Sequence, residues 1–147
     1  MKKVLMIAVI FFTMAASARA QIGLGLGYNL SSEGQALEID FEFINGHSQF
    51  GVEGDIFFNE RFEIKVHAGP IFSVGNKMSI SPLLEFGYRH PKIPVFGGSL
   101  MWIYNPYKEI CLFAKIQYIG AVNIVEKQVS VSSGMSGSVG LIILNVF

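Results

Sequence analysis

Acidic and basic side chains recur along this 147-residue chain at intervals of two. Glu38, Asp40 and Glu42 form one row, Glu53 and Asp55 a second, and Arg61, Glu63, Lys65 and His67 a third. Glu85 and Arg89 follow, and Lys77 and Lys115 stand apart. A spacing of two is the period of a β-strand, so each row lies on one face of its strand. Enclosed together, seven acids and five bases would be very costly unpaired. The chemistry they suggest first is an internal network of ion pairs and hydrogen bonds, with a proton or ion path as the sharper alternative. Catalysis has little support, because His47, His67 and His90 show no matched serine and acid and no metal-ligand spacing. Gly23-x-Gly25-x-Gly27 is followed by no helix, so it is no dinucleotide fingerprint. No cofactor is indicated, and the chain reads as non-enzymatic.

The elements that must carry these rows are strands throughout. Strand one starts at Ile22, with Ile22, Leu24, Leu26, Tyr28 and Leu30 opposing Gly23, Gly25, Gly27 and Asn29. Strand two, from Ala36, sets Leu37, Ile39, Phe41 and Phe43 against the first acidic row. Strand three runs from about Ser48 to Phe58. Strand four, residues 61 to 74, alternates without a miss. Strand five covers about Met78 to Arg89. Strands six (Val95 to Tyr104), seven (Ile110 to Ile124) and eight (about Met135 to Phe147) are apolar on one face and mixed on the other. That makes eight strands.

Loop lengths test the faces, since a slip of one residue would turn every side chain over. A two-residue turn at Asn45-Gly46 pairs Ile44 with His47, Glu42 with Gln49, Asp40 with Gly51 and Glu38 with Glu53. The loop Gly75-Asn76-Lys77 pairs Val74 with Met78, which puts Glu63 opposite Arg89 and His67 opposite Glu85. Asn105-Pro106-Tyr107 can join strands six and seven in the same way.

The first twenty residues read differently. Lys2 and Lys3, an apolar run from Val4 to Phe12, and Ala18 and Ala20 around Arg19 make a secretory signal cleaved after Ala20. The apolar run falls short of the roughly 20 residues of a helical span. Residues 21–147 are then one domain carrying eight basic and eleven acidic side chains, a balance that suggests no nucleic-acid partner. Cys111 is the only cysteine, so no intrachain disulfide supports the fold.

Two architectures share this alternation: a soluble barrel with an apolar interior, binding a small apolar ligand as a lipocalin does, and a membrane barrel turned inside out. Three features favour the second. Glycines 23, 25, 27, 51, 69, 87 and 97 lie on the polar face, where small side chains suit a crowded lumen. The other face is rich in Leu, Ile and Phe on all eight strands. Aromatics gather near strand ends, at Tyr28, Phe58, Phe62, Tyr88, Tyr104, Tyr107 and Phe147. Eight strands enclose an interior that side chains can fill, so Lys115, Arg61 or Lys65 would have to reach across it to Glu38 and Glu53.

With its signal, strand count, dyad alternation and final "VGLIILNVF", the chain over residues 21–147 resembles the small eight-stranded outer-membrane barrels of the OmpX family and the OmpA transmembrane domain. The resemblance implies an eight-stranded antiparallel up-and-down transmembrane β-barrel in the bacterial outer membrane. It further implies a Gram-negative source, both termini in the periplasm, and short periplasmic turns at Asn45-Gly46, Gly75-Asn76 and Asn105-Pro106. Outer loops would centre on Ser32-Glu33, Asn59-Glu60, His90 to Ile93 and Val125 to Ser133. The implied partners are outer-membrane lipid and, through Phe147, the barrel-assembly machinery. The implied state is a monomer with an envelope-structural or surface-interaction role.

Overall fold

The computed structural model describes residues 21–32, 34–90, 93–125 and 128–145. The expected signal segment, Phe147, and parts of three expected loops (Glu33, residues 91–92 and residues 126–127) lie outside the described residues. Among those described there are eight antiparallel strands: β1 Gln21–Ser31, β2 Gly34–Asn45, β3 Ser48–Phe57, β4 in two pieces (Phe62–Pro70 and Phe72–Ser73), β5 Met78–Arg89, β6 Ile93–Tyr107, β7 Ile110–Val125 and β8 Gln128–Leu144. Each pairs with the next, and β1 pairs with β8 as well as β2, so the sheet closes on itself and leaves no open edge along its body.

The faces are inside out relative to a soluble barrel. Glu38, Asp40, Glu42, Glu53 and Glu85 are 0% exposed, whereas Leu26, Leu84 and Phe86 are 50%, 66% and 59% exposed. Apolar side chains cover the outside on every strand, and the charged rows point inward. This is the reverse of a lipocalin-like barrel, whose calyx would be apolar and whose surface would be charged. Glycine makes room for the inward side chains. A Cβ on Gly27 would stand 2.8 Å from Cζ of Phe113, and one on Gly51 would strike the His67 ring.

Register departs from expectation at two of the three expected turns, each time for a local reason. The β2–β3 turn is Gly46-His47, because Asn45 Oδ1 accepts from the backbone N–H of His47 and Ser48 at 3.1 and 3.0 Å and caps the turn one residue later. Asn45 therefore faces Ser48, Asp40 faces Glu53 and Glu38 faces Asp55, a slip of two that leaves the faces unchanged. The β6–β7 turn is Lys108-Glu109 rather than Asn105-Pro106-Tyr107. Pro106, which lacks an N–H, sits instead in an irregularity between Tyr104 and Tyr107.

Strand β4 and strand β5 keep the expected register. Glu63 faces Arg89, His67 faces Glu85, and Val74 N donates to Met78 O at 2.8 Å across the 75–77 turn. The alternation of residues 61 to 74 nevertheless hides a break. The ladder stops at Ala68–Leu84 and resumes at Phe72–Ile80, because Pro70 and Pro82 both lack an N–H there. Ser81 Oγ donates to Pro70 O at 2.8 Å in place of a ladder bond, and Ile71 N turns to His47 O.

Strand β8 starts at Gln128, well before Met135. The serine-rich run expected to be an outer loop pairs with β7 as far as Val125–Gln128. A further feature has no counterpart in the alternation. Leu83, Met101, Ile103, Cys111, Phe113, Ile142 and Leu144 form an apolar cluster inside the barrel, toward the end that carries Gln21 and Leu144. The lumen is thus apolar at the end that carries Gln21 and Leu144 and charged beyond.

Candidate functional site

The charged rows meet around one carboxylate, Glu53 on β3. Lys115 reaches across from β7 and donates from Nζ to Glu53 Oε2 and Glu38 Oε1, both at 2.8 Å. Lys65 on β4 lies 2.6 Å from Glu53 Oε1 and 2.9 Å from Asp55 Oδ2, with Glu63 and Glu85 at 3.6 and 3.9 Å. Gln117 Nε2 donates to both oxygens of Glu53, at 3.1 and 3.2 Å, and Ser136 Oγ donates to Gln117 Oε1 at 2.8 Å. One ammonium from the neighbouring strand and, from β7 across the lumen, a second ammonium and an amide therefore converge on one acid. Both lysines are 1–2% exposed, so these bonds are made away from water, where they are strong and where a missing partner is costly.

Two further pairs extend the network. Arg89 Nε donates to Glu63 Oε2 at 2.7 Å toward the end opposite Gln21 and Leu144. His67 Nε2 lies 2.8 Å from Glu42 Oε1, and its Nδ1 is 3.8 Å from Glu53 Oε2. His67 is thus opposite Glu85 in the ladder yet gives its hydrogen bond to Glu42, whose reach is unobstructed because Gly51 between them has no side chain.

Of the twelve residues expected to share the lumen, Glu38, Asp40, Glu42, Glu53, Asp55, Glu63, Lys65, His67, Glu85 and Lys115 are buried there, and Arg89 stands at its rim. Arg61 does not join them. It is exposed in the β3–β4 turn, where Glu60 takes a positive φ of 67° and Arg61 O accepts from Phe57 N. Lys77 likewise is exposed in the β4–β5 turn. Three uncharged polar residues share the lumen with the buried charges: Asn29 and Gln49, on faces the alternation already marks as polar, and Gln117, which the charge pattern does not single out. Their positions were readable, since Gln117 is two residues from Lys115 and Asn29 two from Gly27 on the same inward faces.

Asp40 differs from its neighbours. It is fully buried, and neither of its carboxylate oxygens has a hydrogen-bond partner among the described residues. It flanks Gly25 and Ile142, at the border between the charged half and the apolar cluster. Glu38, Glu53 and Asp55 bring oxygens within 4.8 Å of one another, a spacing that could hold a cation. The Lys115 and Lys65 ammonium groups lie against those same residues. His90, the rim histidine, is exposed and stacked on Phe62 with ring centroids 5.0 Å apart.

No family model and no curated protein matches this sequence. Solved structures match the fold. The designed transmembrane β-barrel TMB2.3 superposes with a TM-score of 0.64 at 7% identity, over 86% of this chain and 94% of that one. The chain has the fold of a small transmembrane β-barrel. Two natural proteins share it. Neisserial surface protein A matches with a TM-score of 0.50 at 14% identity, over 84% of this chain and 94% of that one. The Yersinia pestis outer membrane protein Ail, determined in a phospholipid bilayer nanodisc, matches with a TM-score of 0.51 at 14% identity, over 86% and 99%. Across such low identities the shared property is the barrel itself, with eight strands wound as an up-and-down meander, as the period-two pattern and the turn spacing implied.

Proposed function

We propose that this barrel is an integral protein of the bacterial outer membrane, non-enzymatic, whose filled lumen holds it rigid while its outer loops serve envelope integrity or surface contacts. The observation that carries the reading is the apolar exterior around a charged interior. Exposed large hydrophobics occur on all eight strands, far more than a water-soluble monomer shows. A closed sheet satisfies its own backbone polar groups, which is what a span through lipid requires of strands. Strands of nine to seventeen residues, the shortest being the first piece of β4, reach the roughly 9 to 11 needed to cross.

The cross-lumen bonds of Lys115 and Lys65, with the apolar cluster behind them, support a plug rather than a pore. The chain would act as a monomer in outer-membrane lipid, reaching it after export and signal cleavage, with Phe147 addressing the barrel-assembly machinery. Cell fractionation tests the location. The protein should sediment with outer membranes and need detergent for release; recovery in the soluble periplasmic fraction would reject the reading.

A further inference from the structure

We infer that the apolar cluster inside the barrel, at the end that carries Gln21 and Leu144, is a hydrophobic gate, and that the ions it admits when it opens are cations. The inference rests on the reading of the barrel as a lipid-spanning protein, which cell fractionation tests separately, and it places the closure in one layer of the filled lumen. That layer spans the bore. Leu83 comes from β5, Met101 from β6, Phe113 from β7 and Ile142 from β8, with Ile44 of β2 packed against the cluster. Strand β1 meets them with glycine: a Cβ on Gly23 would stand 2.6 Å from Ile142 Cγ2, and one on Gly27 2.8 Å from Phe113 Cζ, so both side chains lie flush against that wall. Gln49 faces the layer from β3, and its amide is turned to Met101, Nε2 donating to Sδ at 3.2 Å.

The barrier falls here because of what an ion would meet. In the charged half a passing ion can trade partners, since Lys65 Nζ alone lies within 4 Å of Glu53, Asp55, Glu63 and Glu85. Phe113 marks the border, its ring centroid 5.8 Å from Lys115 Nζ. In the cluster beyond it no charged group takes the ion up, and an unpaired ion in apolar surroundings is very costly. Constrictions of this kind close by excluding water. Charge then decides what passes. At the opposite mouth acid and base balance, Arg89 with Glu63 and Lys65 with Asp55, and Lys115 is spent on Glu38 and Glu53. The surplus acid lies against the gate. Asp40 reaches Gly25 beside Ile142 with neither oxygen hydrogen-bonded, while Glu42, two residues before Ile44, and Glu85, two after Leu83, each keep one oxygen without a hydrogen bond. Their closest bases are weak or distant: His67 for Glu42, and Lys65 at 3.9 Å for Glu85. Three carboxylates on the approach draw cations and turn anions away.

Planar-bilayer recording of the purified protein tests the inference, each variant first shown to fold into vesicles by its Trp102 emission. The parent should be closed nearly all of the time. Phe113→Ala and Ile142→Ala, which thin the gate at two places, should each raise the open time about tenfold or more, with a reversal potential of the sign set by potassium in a potassium chloride gradient. Asp40→Asn in the Phe113→Ala background should lower the preference for potassium over chloride about twofold or more. Lys115→Met, which removes the cross-lumen bridge and spares the gate, should leave the open time close to the parent's. No gain in open time from either folded gate variant, an equal gain from Lys115→Met, openings that prefer chloride, or a preference unmoved by Asp40→Asn would each overturn the inference.

Discussion

Removing Lys115 should be the most damaging single change in the lumen. Its ammonium bridges Glu38 and Glu53 at 2.8 Å each and lies 5.8 Å from the Phe113 ring centroid. In Lys115→Met the apolar stem is kept and the charge is lost. Glu53 retains Lys65 and Gln117, but Glu38 is left fully buried with neither oxygen bonded to another described residue. Breaking a buried pair by removing one partner costs about 3 to 5 kcal/mol, chiefly the desolvated charge left behind. The companion change Glu38→Gln removes that charge, so the double variant should recover part of the loss, with a coupling of about 1 to 3 kcal/mol. Urea titrations of folding into lipid vesicles, followed through the single tryptophan, Trp102, supply all four corners of the cycle. A cost under about 0.5 kcal/mol for Lys115→Met, the range of an ordinary surface change, would show that the cross-lumen bridge contributes nothing and refute the reasoning.

Three other outcomes follow from the same structure. Val66→Arg, on the exposed apolar face of β4, should cost about 2 to 4 kcal/mol in lipid if it lies near the midplane, and Ser73→Arg near the strand end should cost less, both read from the same vesicle titration. Gly27→Val should cost about 1 to 3 kcal/mol by overpacking against Phe113, and trimming that ring in Gly27→Val/Phe113→Leu should return part of it. Reconstituted in planar bilayers, the protein should show only small and intermittent conductance; a steady, porin-sized current would contradict a filled lumen.

Period two carried most of the fold. It put every charged row on one face of its strand, the glycines on that face and the bulky apolar residues on the other marked it as inward, and the 75–77 turn fixed Glu63 opposite Arg89. It could not separate registers that differ by two, because both keep the faces. That choice at β2–β3 fell to a single side chain, Asn45, whose oxygen caps the Gly46-His47 turn. The same blindness hid the Pro70–Pro82 interruption and let Arg61, which continues the alternation, be counted inside although the turn takes it outside. Lys115 is 77 residues from Glu38, and no pairing rule links them. Only the surplus of acid on β2 and β3 hinted that a base must cross the lumen. On β6 to β8 one face is apolar and the other mixed, with Lys115, Gln117 and Ser138 alternating along it with apolar residues, so nothing in the pattern marked Met101, Ile103, Phe113 and Ile142 as an interior cluster.

The central claim, that the apolar face meets lipid and the charged face is enclosed, can be read by spin-label accessibility in reconstituted vesicles. Nitroxides placed singly at Leu26, Val66 and Leu84, all exposed in the structure, should relax strongly with oxygen, which partitions into lipid, and weakly with a water-soluble nickel chelate. A label at Leu26, Val66 or Leu84 relaxed preferentially by the nickel chelate would place the apolar face in water and contradict the account.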